Sequence, residues 1–160
     1  MIIPETVLED FNIRFAIEAD VPTILNFIRE LAEYEHLSHE VKATEDLLHE
    51  YIFRQKKVEV IIGEYQQRPI GFALFFHNFS TFLSRPGIYL EDLYVKPEMR
   101  GKGFGKAMLA YLSKLVEERD YGRLEWSCLD WNEPSIRFYK SLGAKPMDEW
   151  TVYRIQRDLV

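Results

Sequence analysis

The sequence predicts an α/β (α+β) layer fold, a mixed β-sheet with helices on both faces. Three observations predict it. Segments with a two-residue apolar alternation are interleaved with segments of 3.6-residue periodicity. Their order is strand, two helices, three strands, then helix, strand, helix and strand, which a mixed sheet covered by helices accommodates. The 160 residues are 47% apolar and 14% aromatic, enough to enclose a core, with no compositional break to mark a linker. Residues 1–160 are therefore expected to form a single domain, with 1–10 as a short, poorly determined extension.

Each element has a local reason. Asn12 to Ile17 alternates and reads as the first strand. Asp20-Val-Pro22 places an acceptor and a proline where a helix begins, and Ile24, Phe27, Ile28, Leu31 and Ala32 supply its buried face. Thr44 is the expected N-cap of an amphipathic helix through Phe53. Val58 to Glu64 and Ile70 to Phe76 read as a hairpin around Gln66-Gln-Arg-Pro69. A strand from Ile88 to Val95 leads into a long helix ending near Arg119, its apolar face formed by Phe104, Met108, Leu112, Leu115 and Val116. Arg123 to Leu129 is a strand, Asn132-Glu-Pro-Ser opens a helix stopped by Gly143, and Trp150 to Ile155 is the last strand.

The turn between the Ile88–Val95 strand and its helix carries the chemistry. It reads Arg100-Gly-Lys-Gly103-Phe-Gly105, with Lys96, Arg100, Lys102 and Lys106 against Glu98 alone. Glycines let main-chain N–H groups crowd together, and the positive end of the helix adds to them, which makes an anion site. A dinucleotide fingerprint needs glycine at 106, where Lys106 stands. A Walker loop needs glycine at 100 and a hydroxyl residue at 107, where Arg100 and Ala107 stand. A phosphate-bearing ligand of another kind fits; the bland alternative is a helix entered through a flexible turn.

That loop, after a strand ending Leu-Tyr-Val, resembles the acyl-CoA loop of the Gcn5-related N-acetyltransferases. Trp131-Asn-Glu-Pro-Ser-Ile-Arg-Phe-Tyr-Lys140, Tyr89-Leu-Glu-Asp-Leu93 and Glu30-Leu-Ala-Glu-Tyr-Glu35 are similar to the diamine (spermidine/spermine) branch. The resemblance implies the acyl-CoA N-acyltransferase fold, with a twisted mixed sheet of about six to seven strands. It implies that Leu93, Tyr94, Val95, Arg100, Gly101, Lys102, Gly103, Phe104, Gly105, Lys106, Asn132 and Tyr139 hold acetyl-CoA. It also implies a β-bulge in the strand, a polyamine acceptor touching Tyr34 and Glu35, and a homodimer.

Acetylating an alkyl amine sets further demands. An amine of pKa near 10.4 gives up its proton at pH 7 at a cost of about 4.6 kcal/mol. Glu91, at the centre of the strand, is the expected base or water-holder; the alternative is an ordinary salt-bridged strand carboxylate. Asp92 is expected on the opposite face, structural or substrate-orienting. Tyr139 is the expected proton donor to the departing thiol, a core aromatic being the alternative. Main-chain donors at Leu93 and Val95 are expected to polarise the acetyl carbonyl. Seven acidic residues between Ile28 and Glu50 (Glu30, Glu33, Glu35, Glu40, Glu45, Asp46, Glu50), against Arg29 and Lys42, suit a small cationic amine or two solvated helix faces. An acceptor with an amino-acid side-chain amine, such as thialysine or lysine, or a protein amine, is the second reading. A catalytically silent coenzyme-A-binding module is a third.

Other classes fare worse. A net charge of −6 argues against nucleic acid. The lone Cys128 and the lack of a signal-peptide pattern or apolar span predict a cytoplasmic protein away from membranes. His36 and His39 alone make a poor metal site, so no metal is expected.

Overall fold

The computed structural model describes residues 2–159. The chain divides into two compact units, Ile2–Ser127 and the segment from Cys128 onward, described in turn.

The larger unit contains β1 (Phe11–Phe15), α1 (Val21–Tyr34), α2 (Glu45–His49), β2 (Glu59–Tyr65), β3 (Arg68–Ser80), β4 (Arg85–Val95), α3 (Phe104–Glu118) and β5 (Leu124–Trp126). The strands form one mixed sheet in the order β1-β2-β3-β4-β5. The first three pairings are antiparallel and β4–β5 is parallel. The expected α/β fold is present, but among the described residues the sheet has five strands rather than six or seven.

Register decides which side chains meet which helix. Val60, Ile62, Phe72 and Leu74 form one buried cluster with Ile24 and Phe27 of α1. Residues one position along the strands point the other way. There Gly63 lies beside Phe11 and the Met108 sulfur of α3, so α1 and α3 cover opposite faces. The rings of Phe27 and Phe72 stack at 5.7 Å.

Several element boundaries move from their sequence expectation. Asp20 does not cap α1 through its side chain. Its Oδ2 accepts the Ile17 N–H (2.8 Å), and both its oxygens accept from the Arg14 guanidinium (2.7 and 2.9 Å). Thr44 does cap α2, its Oγ1 accepting the Leu47 N–H at 3.2 Å. The helix expected through Phe53 instead passes at Glu50 into a π-helical turn, Glu50–Arg54. The β2–β3 turn is only Gln66-Gln67, both with positive φ (50° and 64°), as a tight two-residue hairpin requires. Arg68 and Pro69 already belong to β3, which runs on to Ser80 and pairs with β4 back to Arg85. The chain ahead of β1 touches α3 at Ile3, whose N–H donates to Ser113 Oγ at 3.1 Å, and at Glu5, paired with Lys114. β5 stops at Trp126, short of Leu129.

In the smaller unit, α4 (Glu133–Ser141) begins at Asn132, whose Oδ1 accepts the Ser135 N–H (3.4 Å). Gly143, at φ 85°, ends it, as expected. Among the described residues, Trp150–Ile155 forms no strand. Trp150, Val152, Tyr153 and Ile155 are 75–104% exposed. Their alternation gives strand propensity, and propensity without a paired edge gives only extended chain.

Arg14 also donates from Nε to Glu64 (2.9 Å), so it ties β1 to β2 and to the start of α1. Replacing Asp20 by Ala is expected to cost about 2 kcal/mol in denaturant unfolding. Arg14 holds the Asp20 carboxyl below its ordinary 3.8. Its contribution is therefore fully present above that value and lost as pH falls through the folded pKa. The Asp20→Ala protein should show a correspondingly flatter acid limb.

Candidate functional site

The site is organised by a slip in the β3–β4 ladder. Leu74 pairs with Asp92, yet the next β3 residue, Phe75, pairs with Leu90, leaving Glu91 as an extra residue on β4. This is the bulge the resemblance implied. It changes the expected alternation. Leu90 and Asp92 stand opposite consecutive β3 residues, so they lie on opposite faces where a regular strand would align them. Asp92 consequently shares the face of Leu74, beneath α1.

The slip also redirects main-chain donors. Before it, the Ile88 N–H points to β5 and donates to Arg123 O (2.9 Å). After it, the Lys96 N–H points to β3 and donates to Ile70 O (2.8 Å). N–H directions alternate along a strand, so those of Leu93 and Val95 point to the other edge. Among the described residues, β5 pairs with β4 only from Ile88 to Leu90. Leu93 and Val95 therefore present their donors on a stretch of β4 that β5 does not cover.

Four residues past Lys96 the chain enters the glycine turn. Gly101 and Gly103 have φ of +75° and +87°, a region that side chains disfavour. Gly103 is the N-cap of α3. The Ala107 N–H is bonded to Gly103 O (3.0 Å), which leaves Phe104, Gly105 and Lys106 as the helix-terminal donors. A Cβ at Gly101 would meet nothing within 4 Å, so the turn lies open. Lys102 and Lys106 are exposed beside it. These residues fit an anionic, phosphate-bearing group. Phe104 faces inward, its ring stacked on Phe11 (4.6 Å) and near Tyr65 (5.3 Å). Sequence reasoning missed both of those partners, since neither is near in sequence.

Arg100 has a more particular place than its motif suggests. Its Nε donates to Val95 O (2.9 Å), and its guanidinium stands 4.9 Å from the Tyr34 ring centroid and 5.6 Å from that of Tyr94. Lys96 lies over the Phe27 ring at 6.0 Å. Tyr94 is buried by its ring. Burial, with the neighbouring Glu30 carboxylate, pushes its phenol up to about 12. Glu30 also accepts from Asn26 Nδ2 (3.2 Å); the sequence places it in the acidic run and in the Glu30–Glu35 motif, and neither points to Tyr94.

The expected carboxylates do gather. Burial first, then the charges of Glu91 and Glu35, pushes the Asp92 carboxyl up to about 7. Burial raises Glu35 as well. Glu91 is exposed at the bulge. Apart from Glu30 beside Tyr94, the rest of the acidic run behaves as solvated surface, with Glu50 paired to Arg54 and Glu40 beside His39. Asn132 and Tyr139 belong to the smaller unit, at the start and in the body of α4. The Tyr139 ring lies 5.5 Å from that of Phe138, and its carbonyl accepts the Ala144 N–H (3.2 Å).

Comparison with known proteins adds to this geometry. The family model described as "Acetyltransferase (GNAT) family" matches residues 23–144. A thialysine N-epsilon-acetyltransferase from Bos taurus is 36% identical over 156 residues, covering 90% of this chain and 91% of that protein. The L-ornithine N5-acetyltransferase of Arabidopsis thaliana is 30% identical, covering 92% and 85%. A Homo sapiens spermidine/spermine N(1)-acetyltransferase-like protein is 30% identical over 96% of this chain but only 24% of its own length. Among solved structures, an integron cassette protein from V. cholerae superposes with a TM-score of 0.77 at 25% identity, covering 93% and 94%.

The raised Asp92 pKa makes a stability prediction. The unfolded chain releases this proton near 3.8 and the folded one only near 7. Between those values the unfolded state binds fewer protons, so stability falls as pH rises and levels off above about 7. Asp92→Asn should remove that slope. Thermal melts across pH 4–8 should show the variant gaining on the parent protein as pH rises. Parallel curves for the two proteins would contradict it.

Proposed function

We propose that this chain, which belongs to the acetyltransferase (GNAT) family, transfers the acetyl group of acetyl-CoA directly to the side-chain amine of a small amino acid. Thialysine, lysine and ornithine are the acceptors we have in view. The observation that carries this reading is the group of carboxylates around the bulge, Glu35, Glu91 and Asp92, next to the uncovered donors of Leu93 and Val95. An acceptor with two amines suits it: one amine reacts, and the other stays as an ammonium ion among the carboxylates. The thialysine and ornithine relatives, each matched over most of its own length, favour an amino acid. A polyamine, the first expectation from sequence, keeps the same charge pattern and is the second reading, supported by the spermidine/spermine-like relative.

The coenzyme supplies an acetyl thioester, and the chain's residues do the rest. The turn from Arg100 to Lys106 takes the pyrophosphate on main-chain N–H groups, with Lys102 and Lys106 alongside. Leu93 and Val95 direct N–H groups to the acetyl oxygen. Glu91, exposed and next to the reacting position, accepts the amine proton directly or through water. Tyr34, Glu35 and Asp92 hold the distal end of the acceptor. Tyr139 provides the proton for the departing sulfur, and Asn132 holds α4 and the coenzyme in place. The family model spans both compact units, which supports their acting as one N-acetyltransferase domain. We further infer a cytoplasmic homodimer that binds neither nucleic acid nor membrane. The exposed apolar tail around Trp150–Ile155 and the net charge of −6 support it. Light scattering at micromolar concentration should report twice the 19.0 kDa chain mass.

A thiol-release screen at fixed acetyl-CoA over thialysine, lysine, ornithine, diamines and polyamines tests the proposal. The amino acids should give the highest kcat/KM. A higher value for spermidine or spermine returns the acceptor to the second reading, and no turnover with any amine sinks both. Glu35→Gln should raise the acceptor KM about tenfold, the loss of one charge-assisted contact. Tyr139→Phe should lower kcat about 100-fold and leave coenzyme A affinity intact. An unchanged kcat removes Tyr139 from its role.

A further inference from the structure

The chain ahead of β1, a short and poorly determined extension from sequence, is fastened to α3 at separated points. The Ile3 N–H donates to Ser113 Oγ (3.1 Å), and Ser113 is itself buried. Glu5 pairs with Lys114 Nζ at 2.9 Å. At the other end, Leu8 Cδ1 and Cδ2 lie 3.8 and 3.9 Å from where a Cβ at Gly103 would stand. Leu8 therefore lies beside Gly103, the exposed residue that caps α3 at the end of the glycine turn. Its carbonyl accepts the Phe11 N–H (3.3 Å), and the Phe11 ring stacks on Phe104, one residue past that cap.

The dimensions agree. Gly103 to Ser113 is ten residues of helix, about 15 Å. Five residues from Ile3 to Leu8 can reach about 17 Å when extended, enough to match it. The segment thus runs antiparallel along α3, held near both ends. From Ile3 to Val7 only Ile3 is half-buried, and Leu8 is the next residue that is; Val7 is 97% exposed.

We propose that Leu8 is a positioning residue for the coenzyme, and that the strap Ile3–Leu8 holds the Gly101–Gly103 turn in its receiving shape. This rests on the reading of that turn as the acetyl-CoA site. Glycines lose more backbone freedom on ordering than other residues, so a glycine turn pre-ordered from outside binds its ligand with less entropy loss. The strap touches the coenzyme turn and not the carboxylates at the bulge. Its loss should therefore weaken coenzyme affinity and spare the acceptor.

The test uses the full chain with Leu8→Ala and the conservative Leu8→Met, titrated calorimetrically with coenzyme A. Leu8→Ala should raise the Kd about fivefold, with the acceptor KM and the kcat at saturating acetyl-CoA unchanged, and Leu8→Met should restore the parent value. Amide exchange at Gly101–Gly105 should quicken in Leu8→Ala alone. If Leu8→Ala does not fold, Glu5→Gln at the far anchor should give the same shift more weakly. A parent-like Kd in the substituted protein overturns the strap and leaves the coenzyme site standing. So does an acceptor KM that rises in step with the Kd, which would mark general loosening. Failure of the parent protein to bind coenzyme A overturns the site and the strap together.

Discussion

The extra residue at Glu91 is the constraint on which the rest of the site depends. A β-strand repeats every two residues, so one inserted residue inverts everything downstream. Before the slip, β4 sends alternate N–H groups to β5; after it, the same parity points to β3. That inversion turns Leu93 and Val95 toward the uncovered edge, and carries Asp92 and Tyr94 under α1 instead of α3. A regular strand would bury Asp92's partners against the wrong helix and give β5 a continuous edge to pair with. One insertion thus sets both the direction of the donors and the face on which Asp92 lies.

That packed face then sets the electrostatics of Asp92. Asp92 shares the face of Leu74, which is packed with apolar side chains of α1, and it feels Glu91 and Glu35 nearby. Burial and like charges act in the same direction, and both favour a proton on the carboxyl. An opposite charge placed there would reverse this. Arg100 does not supply it, because its guanidinium is spread over the faces of Tyr34 and Tyr94.

What the sequence conveyed follows the range of the forces involved. Local signals were faithful: Thr44 as a cap, Gly143 as a stop, the glycines opening α3, and the inward face from Phe104 to Leu115. Each depends on neighbours within a helical turn. The failures need distant partners. Trp150–Ile155 has the composition of a strand, but a ladder is a property of two segments. Asp20 has the spacing of a cap, yet the Arg14 guanidinium, six residues upstream, takes both of its oxygens. The bulge was available only by resemblance, since nothing within Leu-Glu-Asp-Leu distinguishes an inserted residue from a paired one. Glu35 and Asp92 were named as neighbours of the acceptor, but their shared burial belongs to the packing of α1 on the sheet.

Arg100 shows how closely the two halves of the site are joined. Its Nε holds the carbonyl of Val95, the residue whose N–H faces the uncovered edge of β4. Its guanidinium lies on Tyr34, at the end of α1, and on Tyr94, next to Val95 in β4. The same side chain sits one residue before Gly101, where the anion turn begins. A guanidinium can do this because it is planar, donates along its edge and stacks through its face. An ammonium could supply the charge but neither the directed Nε bond nor the flat contact. Through this one side chain the turn, the strand edge and the end of α1 are tied to one another.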